Sequence, residues 1–171
     1  TPSPTATATT GSGGSGFYRA INLNGSALTI DGNQWEADGA PGVTSNGYYA
    51  CLPNLTLNPP TDANRSTMLR CFRWNQGLTV NMAGMPSGSY DVYLYVLEDD
   101  WQQTMGVRLE GNLVQDNIST GSNGQWQRLG PWRVSVTDGT LNLAVTGSGW
   151  IIVPGIEVWR AGASSSATSR G

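Results

Sequence analysis

The stretch 89–97, SYDVYLYVL, limits the folds open to this chain more than any other segment. Tyr90, Val92, Leu94 and Val96 alternate with Asp91, Tyr93, Tyr95 and Leu97, the period of two that sends successive side chains to opposite faces of a strand. Both sets are largely apolar, so both faces need cover, and the strand belongs in the middle of a sheet with material packed on either side. It then runs into Glu98, Asp99, Asp100, Trp101, Gln102 and Gln103. Three carboxylates, an indole and two amides do not suit a sheet interior, so these residues form a loop at its rim. A flat ring among hydrogen-bonding groups matches a pyranose, which offers an apolar C–H face and a periphery of hydroxyls.

Around this strand the sequence repeats one pattern, a short apolar run followed by turn residues, and no window sustains a helical period. Strands are expected at 17–24, 48–52, 67–74, 77–82, 89–97, 105–110, 112–116, 127–136, 141–146 and 150–159. Asn24-Gly25, Asp31-Gly32, Asn46-Gly47, Glu110-Gly111 and Asp138-Gly139 supply the turns between them, since these residues tolerate the left-handed backbone of tight hairpins. Pro154-Gly155 predicts a bulge or an edge position in the last strand. The expected fold is all-β, a two-sheet antiparallel β-sandwich with jelly-roll connections, spanning 17–160. Residues 1–16 are rich in Pro, Thr, Gly and Ser and read as a linker, and 161–171 as a flexible tail or second linker. No signal peptide or long apolar run is present, and the chain reads as a mature or excised piece of a larger secreted, extracellular protein.

Composition narrows the chemistry. Charged residues make up 12% of the chain, against about 25% in ordinary domains. The net charge is −3 and every cation is Arg, so nothing forms a basic patch for nucleic acid or an anionic membrane. The chain has 0 His, which removes Ser-His-Asp triads, Cys-His dyads and the usual zinc sites. Cys51 and Cys71 lie in separate strand-like runs. In an oxidising compartment they are able to close a loop worth roughly 3 kcal/mol; the sequence leaves disulfide and free thiols both open.

The run Glu98-Asp99-Asp100 has two chemical readings beside that of a solvated acidic loop. Glycoside hydrolysis needs two carboxylates flanking the bond, and neighbours in one loop have the wrong geometry, so Asp38 or Glu157 would have to converge on them. A small glycoside hydrolase or lyase is therefore the alternative and not the leading reading. The oxygen ligands of such loops also leave a structural calcium ion open; no cofactor is required. The 7 Trp divide by context. Trp132 and Trp159 sit within strand alternation and are expected in the core. Trp74, Trp101, Trp126 and Trp150 border polar or Gly-rich turns and are candidate sugar platforms, as are Tyr48 and Tyr49, of which alternation should turn one inward and one outward.

Several short segments, in order and spacing, carry a resemblance that covers nearly all of 17–160. They are Ala20-Ile21-Asn22-Leu23-Asn24-Gly25, Gln34-Trp35-Glu36-Ala37-Asp38, Arg73-Trp74-Asn75, Gly88-Ser89-Tyr90-Asp91-Val92 running to Leu97-Glu98, the strand and turn from Val107 to Gly111, and Gly155-Ile156-Glu157-Val158. Together they resemble malectin and malectin-like carbohydrate-binding domains, with a more distant likeness to the β-sandwich binding modules of bacterial glycoside hydrolases. The resemblance implies a noncatalytic module that binds polysaccharide or oligosaccharide through loop aromatics and targets a covalently linked catalytic domain to it. It places contacts at Tyr48 or Tyr49, at Trp74, and at Asp100 and Trp101. Trp101 then becomes the expected main stacking residue, with Asp100 and Gln103 orienting hydroxyls and Trp126 and Trp150 next in line. The chain departs from the pattern where Asp100 replaces an aromatic and where Gly147-Ser148-Gly149-Trp150 lacks an acidic residue. The extra Trp residues point to a plant or microbial cell-wall glycan such as a β-glucan. A protein-interaction sandwich is the remaining alternative, because malectin-like ectodomains also bind peptides.

Overall fold

The computed structural model describes residues 16–162. The expected linker and tail lie outside these residues, apart from Gly16, which opens the first strand, and Ala161 and Gly162. In chain order the elements are β1 (Gly16–Asn22), β2 (Leu28–Ile30), β3 (Asn33–Ala37), β4 (Val43–Ser45), β5 (Tyr48–Cys51), α1 (Ala63–Arg70), β6 (Cys71–Ala83), β7 (Gly88–Leu97), β8 (Thr104–Leu109), β9 (Asn112–Ser119), β10 (Trp126–Val136) and β11 (Thr140–Arg160).

The strand singled out from the sequence, β7, lies between β10 and β11. Its two faces serve different interiors. Tyr90, Val92, Leu94 and Val96 enter the main core, whereas Tyr95 and Leu97 point into a second cluster with Trp35, Met68, Leu69 and Phe72. The fold is mostly strand, and β11 connects its two halves. Residues 140–147 of β11 run between β6 and β8, and residues 155–160 run between β7 and β1. The main core lies between these halves. Leu78, Val80 and Met82 of β6 and Met105, Val107 and Leu109 of β8 come from one side, and Ile21, Tyr90, Val92, Trp132 and Val134 from the other.

Four expectations need correction, and one is resolved between its two alternatives. The runs 67–74 and 77–82 do not form two strands. Residues 67–70 finish helix α1, and β6 continues unbroken from Cys71 through Gly77. The helix starts at Asp62, whose carboxylate accepts the Arg65 N–H at 2.9 Å, as an N-cap does. Only the adjacent Met68 and Leu69 are buried, so no i, i+4 apolar stripe marks the helix in the sequence. Likewise 141–146 and 150–159 belong to one strand, β11. The short strands β2, β3 and β4 carry too few residues to show alternation. Not every pair is antiparallel, for β3 lies parallel to β1 through Ile21–Glu36 and Asn22–Ala37. The chain reaches β3 from the outside by the Asp31-Gly32 turn, where both residues have positive φ of 52° and 79°. Pro154-Gly155 forms the bulge that was one of its two expected outcomes, within a strand paired on both sides. The pairing of β11 with β7 shifts there, and a Cβ on Gly155 would meet the Trp35 ring at 2.5 Å. Glycine lets that indole, which is buried, lie against the backbone of a central strand.

Candidate functional site

The β5–β6–β11 ladder builds one aromatic face at the rim. Tyr48 pairs with Trp74 and Ala50 with Phe72, and Trp74 pairs with Ile152 of β11. Because same-face residues recur every second position, Tyr48 and Ala50, Trp74 and Phe72, and Trp150 and Ile152 share one side. Five of these, with Asp99 from the β7–β8 loop, line a cleft of about 320 Å³. Ala50 leaves it open, since a methyl group stands there opposite Phe72. The rings form a chain: Tyr48 and Trp74 are 5.0 Å apart and tilted by 39°, and Trp74 and Trp150 are 5.1 Å apart and nearly perpendicular at 86°. Trp74 is half-buried, while Tyr48 and Trp150 are each 58% exposed. Cys51 and Cys71 close the other end of the β5–β6 ladder as a disulfide, their Cα atoms 4.1 Å apart.

Trp150 reaches solvent because the β11–β6 register slips. Thr146 faces Gly77 and Ile151 faces Asn75, so residues 147–150 stand opposite Gln76 alone. This bulge is held in place. Ser148 Oγ accepts the Thr104 N–H and donates to Gln103 Oε1, both at 3.1 Å, and Gln103 Nε2 donates to Trp101 O at 3.1 Å. A Cβ on Gly149 would lie 2.4 Å from Gln103 Oε1, so only glycine permits the approach. Gln103 thereby ties the Trp101 loop to the segment that carries Trp150.

Glu98 organises the acidic loop from below. It is buried, its Oε1 accepts the amide N–H groups of Asp99 and Asp100 at 3.1 and 3.0 Å, and its Oε2 accepts the Thr120 hydroxyl at 2.5 Å. The turn aims Asp99 at the cleft. Burial pushes the Asp99 carboxyl above its usual range; a hydrogen bond from its own backbone opposes that rise and the adjacent Asp100 charge adds to it. Asp99 takes part in none of the ion pairs among the described residues.

Of the residues expected at a site, the structure brings together Trp74, Trp150 and Tyr48. Tyr49 turns to the opposite face, over the Arg73 guanidinium at 4.2 Å. Alternation separates the two tyrosines but buries neither, because β5 pairs only with β6 and is an edge; Tyr49 is 60% exposed. Trp101 is 76% exposed on its loop and, like Asp100, is not among the residues lining the cleft. The Gln103 amide is engaged in the bridge just described. Trp126 stacks on Tyr95 at 6.1 Å and donates from Nε1 to Pro59 O at 2.7 Å, which pins the loop before α1. Trp132 is in the core, but Trp159 is only half-buried, edge-on to Phe17 with its Nε1 on Glu157 Oε1. The acids that would have had to converge are held elsewhere: Asp38 pairs with Arg73 and Glu157 with Arg128. Sequence reasoning missed Ala50, Phe72, Ile152 and Asp99 as cleft residues. The one signal for the first two was the Cys51–Cys71 pair, which fixes the register that sets Ala50 against Phe72. Among the described residues no group of three or more His, Cys, Asp or Glu is placed to hold a metal ion.

No family model and no curated protein matches the chain. Among solved structures it is similar to Bacteroides uniformis beta-glucuronidase 2, at 16% identity and a TM-score of 0.68, over 84% of this chain and 18% of that one. It is also similar to the Bacillus subtilis protein YXIM, at 17% identity and a TM-score of 0.52, over 84% of this chain and 40% of the other. A family 35 carbohydrate binding module from Clostridium thermocellum aligns over 70% of this chain and 92% of its own, at 17% identity and a TM-score of 0.42. The chain thus spans less than half the length of the first two proteins, and with them it shares a fold.

Proposed function

We propose that this chain is a noncatalytic carbohydrate-binding module of jelly-roll, malectin-like type. It binds a neutral cell-wall polysaccharide such as a β-glucan and holds an attached catalytic domain against it. The observation that carries this reading is the Tyr48–Trp74–Trp150 chain of rings beside a cleft with a single carboxylate. Exposed aromatic area concentrated at one place marks an interaction site rather than chance exposure, and rings held on paired strands are positioned before ligand arrives. A sugar C–H face stacks on such rings while Asp99 accepts from its hydroxyls. Among the described residues Asp99 is the one acid lining the cleft, and glycoside hydrolysis needs two flanking the bond, which favours binding. The fold shared with part of a Bacteroides uniformis beta-glucuronidase is in keeping with attachment to a glycoside hydrolase.

Affinity electrophoresis of 16–162 through gels carrying neutral and acidic polysaccharides tests this reading, with reducing sugar measured in parallel. Retardation by at least one neutral glucan without sugar release is expected. Free migration in every gel would refute binding, and sustained release of reducing sugar would make the chain an enzyme.

A further inference from the structure

A second cavity, of about 310 Å³, opens on the other side of Asp99, lined by Leu52, Pro53, Asn54, Leu55 and Asn123. Asp99 is the one residue that lines both this cavity and the aromatic cleft. Their chemistry differs. The first offers ring faces; the second offers the side-chain amides of Asn54 and Asn123, both exposed and neither hydrogen-bonded within the described residues. Among the described residues the carboxylate between them has no cationic partner, and neither cavity is lined by an Arg.

We infer that the two cavities are adjoining subsites of one groove that takes an internal stretch of a neutral glycan chain, with Asp99 as the residue that sets its charge preference. This rests on the proposed carbohydrate binding and deepens it. One sugar ring stacks in the cleft against the ring faces that Trp74 and Trp150 present to it. The chain then passes Asp99, which accepts hydroxyl hydrogens from it, and a following unit meets the Asn54 and Asn123 amides, which donate to and accept from hydroxyls without regard to charge. A groove with wall residues on both sides of a shared divider does not cap a chain end. An unneutralised carboxylate at the centre rejects uronic acids by like-charge repulsion, a specificity built by disfavouring the wrong ligand.

The test is calorimetric titration of the full chain with ladders of one to six units of neutral gluco-, manno- and xylo-oligosaccharides and of oligogalacturonides. With the best neutral ladder, affinity should rise about tenfold or more as the chain lengthens past the first subsite, the scale of one or two satisfied hydrogen bonds. The Asn54→Ala/Asn123→Ala variant, whose fold is checked by its melting curve, should bind the shortest ligand as the parent does and lose that gain. The parent should bind oligogalacturonides at least about tenfold more weakly than the neutral ladder, and Asp99→Asn should narrow the difference. If Trp150→Ala abolishes binding but the double Asn variant keeps the full gain with length, the two-subsite groove is wrong while carbohydrate binding at the cleft stands. Equal binding of neutral and acidic ladders removes the role given to Asp99. No binding to any ladder overturns both this inference and the function on which it rests.

Discussion

Replacing Arg73 with methionine should destabilise the fold by about 3 kcal/mol, the lower end of the cost of stranding one partner of a buried ion pair, because Arg73 is buried and Asp38 half-buried. The Arg73 guanidinium grips the Asp38 carboxylate with four contacts of 2.9 to 3.2 Å, and the two side chains are only 9% and 15% exposed. It also donates to Gly47 O at 3.1 Å and Ser45 O at 3.3 Å, holding the turn between β4 and β5, and lies under the Tyr49 ring, a contact worth about 0.5–1 kcal/mol. The charge therefore fastens the edge strand that carries Tyr48, and its loss leaves the half-buried Asp38 carboxylate without a cation. Urea unfolding of the parent, Arg73→Met, Asp38→Leu and the double variant, fitted by linear extrapolation, gives the cycle directly. The double variant should recover a large part of the loss, because removing both charges is far milder than removing one. A single-variant cost below about 1 kcal/mol, or a double variant that costs the sum of the two singles, would refute the claim that Asp38 depends on Arg73.

Reduction of Cys51–Cys71 should lower the melting temperature, since the bond links residues separated by 20 positions and such loops contribute roughly 3 kcal/mol; an unchanged melt would remove it from the stabilising contacts. Asp62→Ala should cost about 1 kcal/mol at neutral pH by uncapping α1. The hydrogen bond from the Arg65 backbone lowers the Asp62 pKa, so this contribution is present above the ordinary aspartate range and lost as pH falls through the lowered value; a parent–variant difference that grows on acidification would contradict it. Asp99 has the opposite sign. Its pKa is raised by burial, so ionised Asp99 disfavours the folded state at neutral pH and the penalty fades as pH falls; Asp99→Asn should be the more stable protein at pH 7, with the gap closing in acid, and a variant less stable at pH 7 would reverse this assignment.

The parts of the fold written as long periodic runs were legible in the sequence. The central position of β7, its burial on both faces and the loop that follows come directly from the alternation at 89–97 and its abrupt end. What escaped was set by partners distant in the chain. Helix α1 shows no apolar stripe because it buries only Met68 and Leu69 and is fastened otherwise by Arg65 to Asp31 and by Asn64 to Thr29 O. The continuity of β11 across Gly147-Ser148-Gly149 was hidden because glycines read as a turn, although here they form a bulge that presents Trp150. At the site, aromatic residues beside polar turns were recognisable as a class, but which of them converge depends on register. The pairing of Tyr48 with Trp74 and of Trp74 with Ile152 collects three rings, whereas Trp126 is drawn inward by Tyr95 and Pro59. Asp99 rather than Asp100 faces the cleft because Glu98 fixes the turn between them, a detail that three consecutive acids cannot reveal.

The most direct test of the proposed site compares Trp150→Ala with Trp101→Ala by titration with the neutral glucan that retards the parent most. If the ring chain around Trp74 is the platform, Trp150→Ala weakens binding by about 2 kcal/mol, roughly thirtyfold. Trp101→Ala, which removes a ring standing outside the cleft, should change affinity by less than about threefold, or 0.7 kcal/mol. A folded Trp150→Ala protein that binds like the parent, with the loss appearing in Trp101→Ala instead, would move the site to the tip of the acidic loop and contradict the assignment to the β5–β6–β11 face.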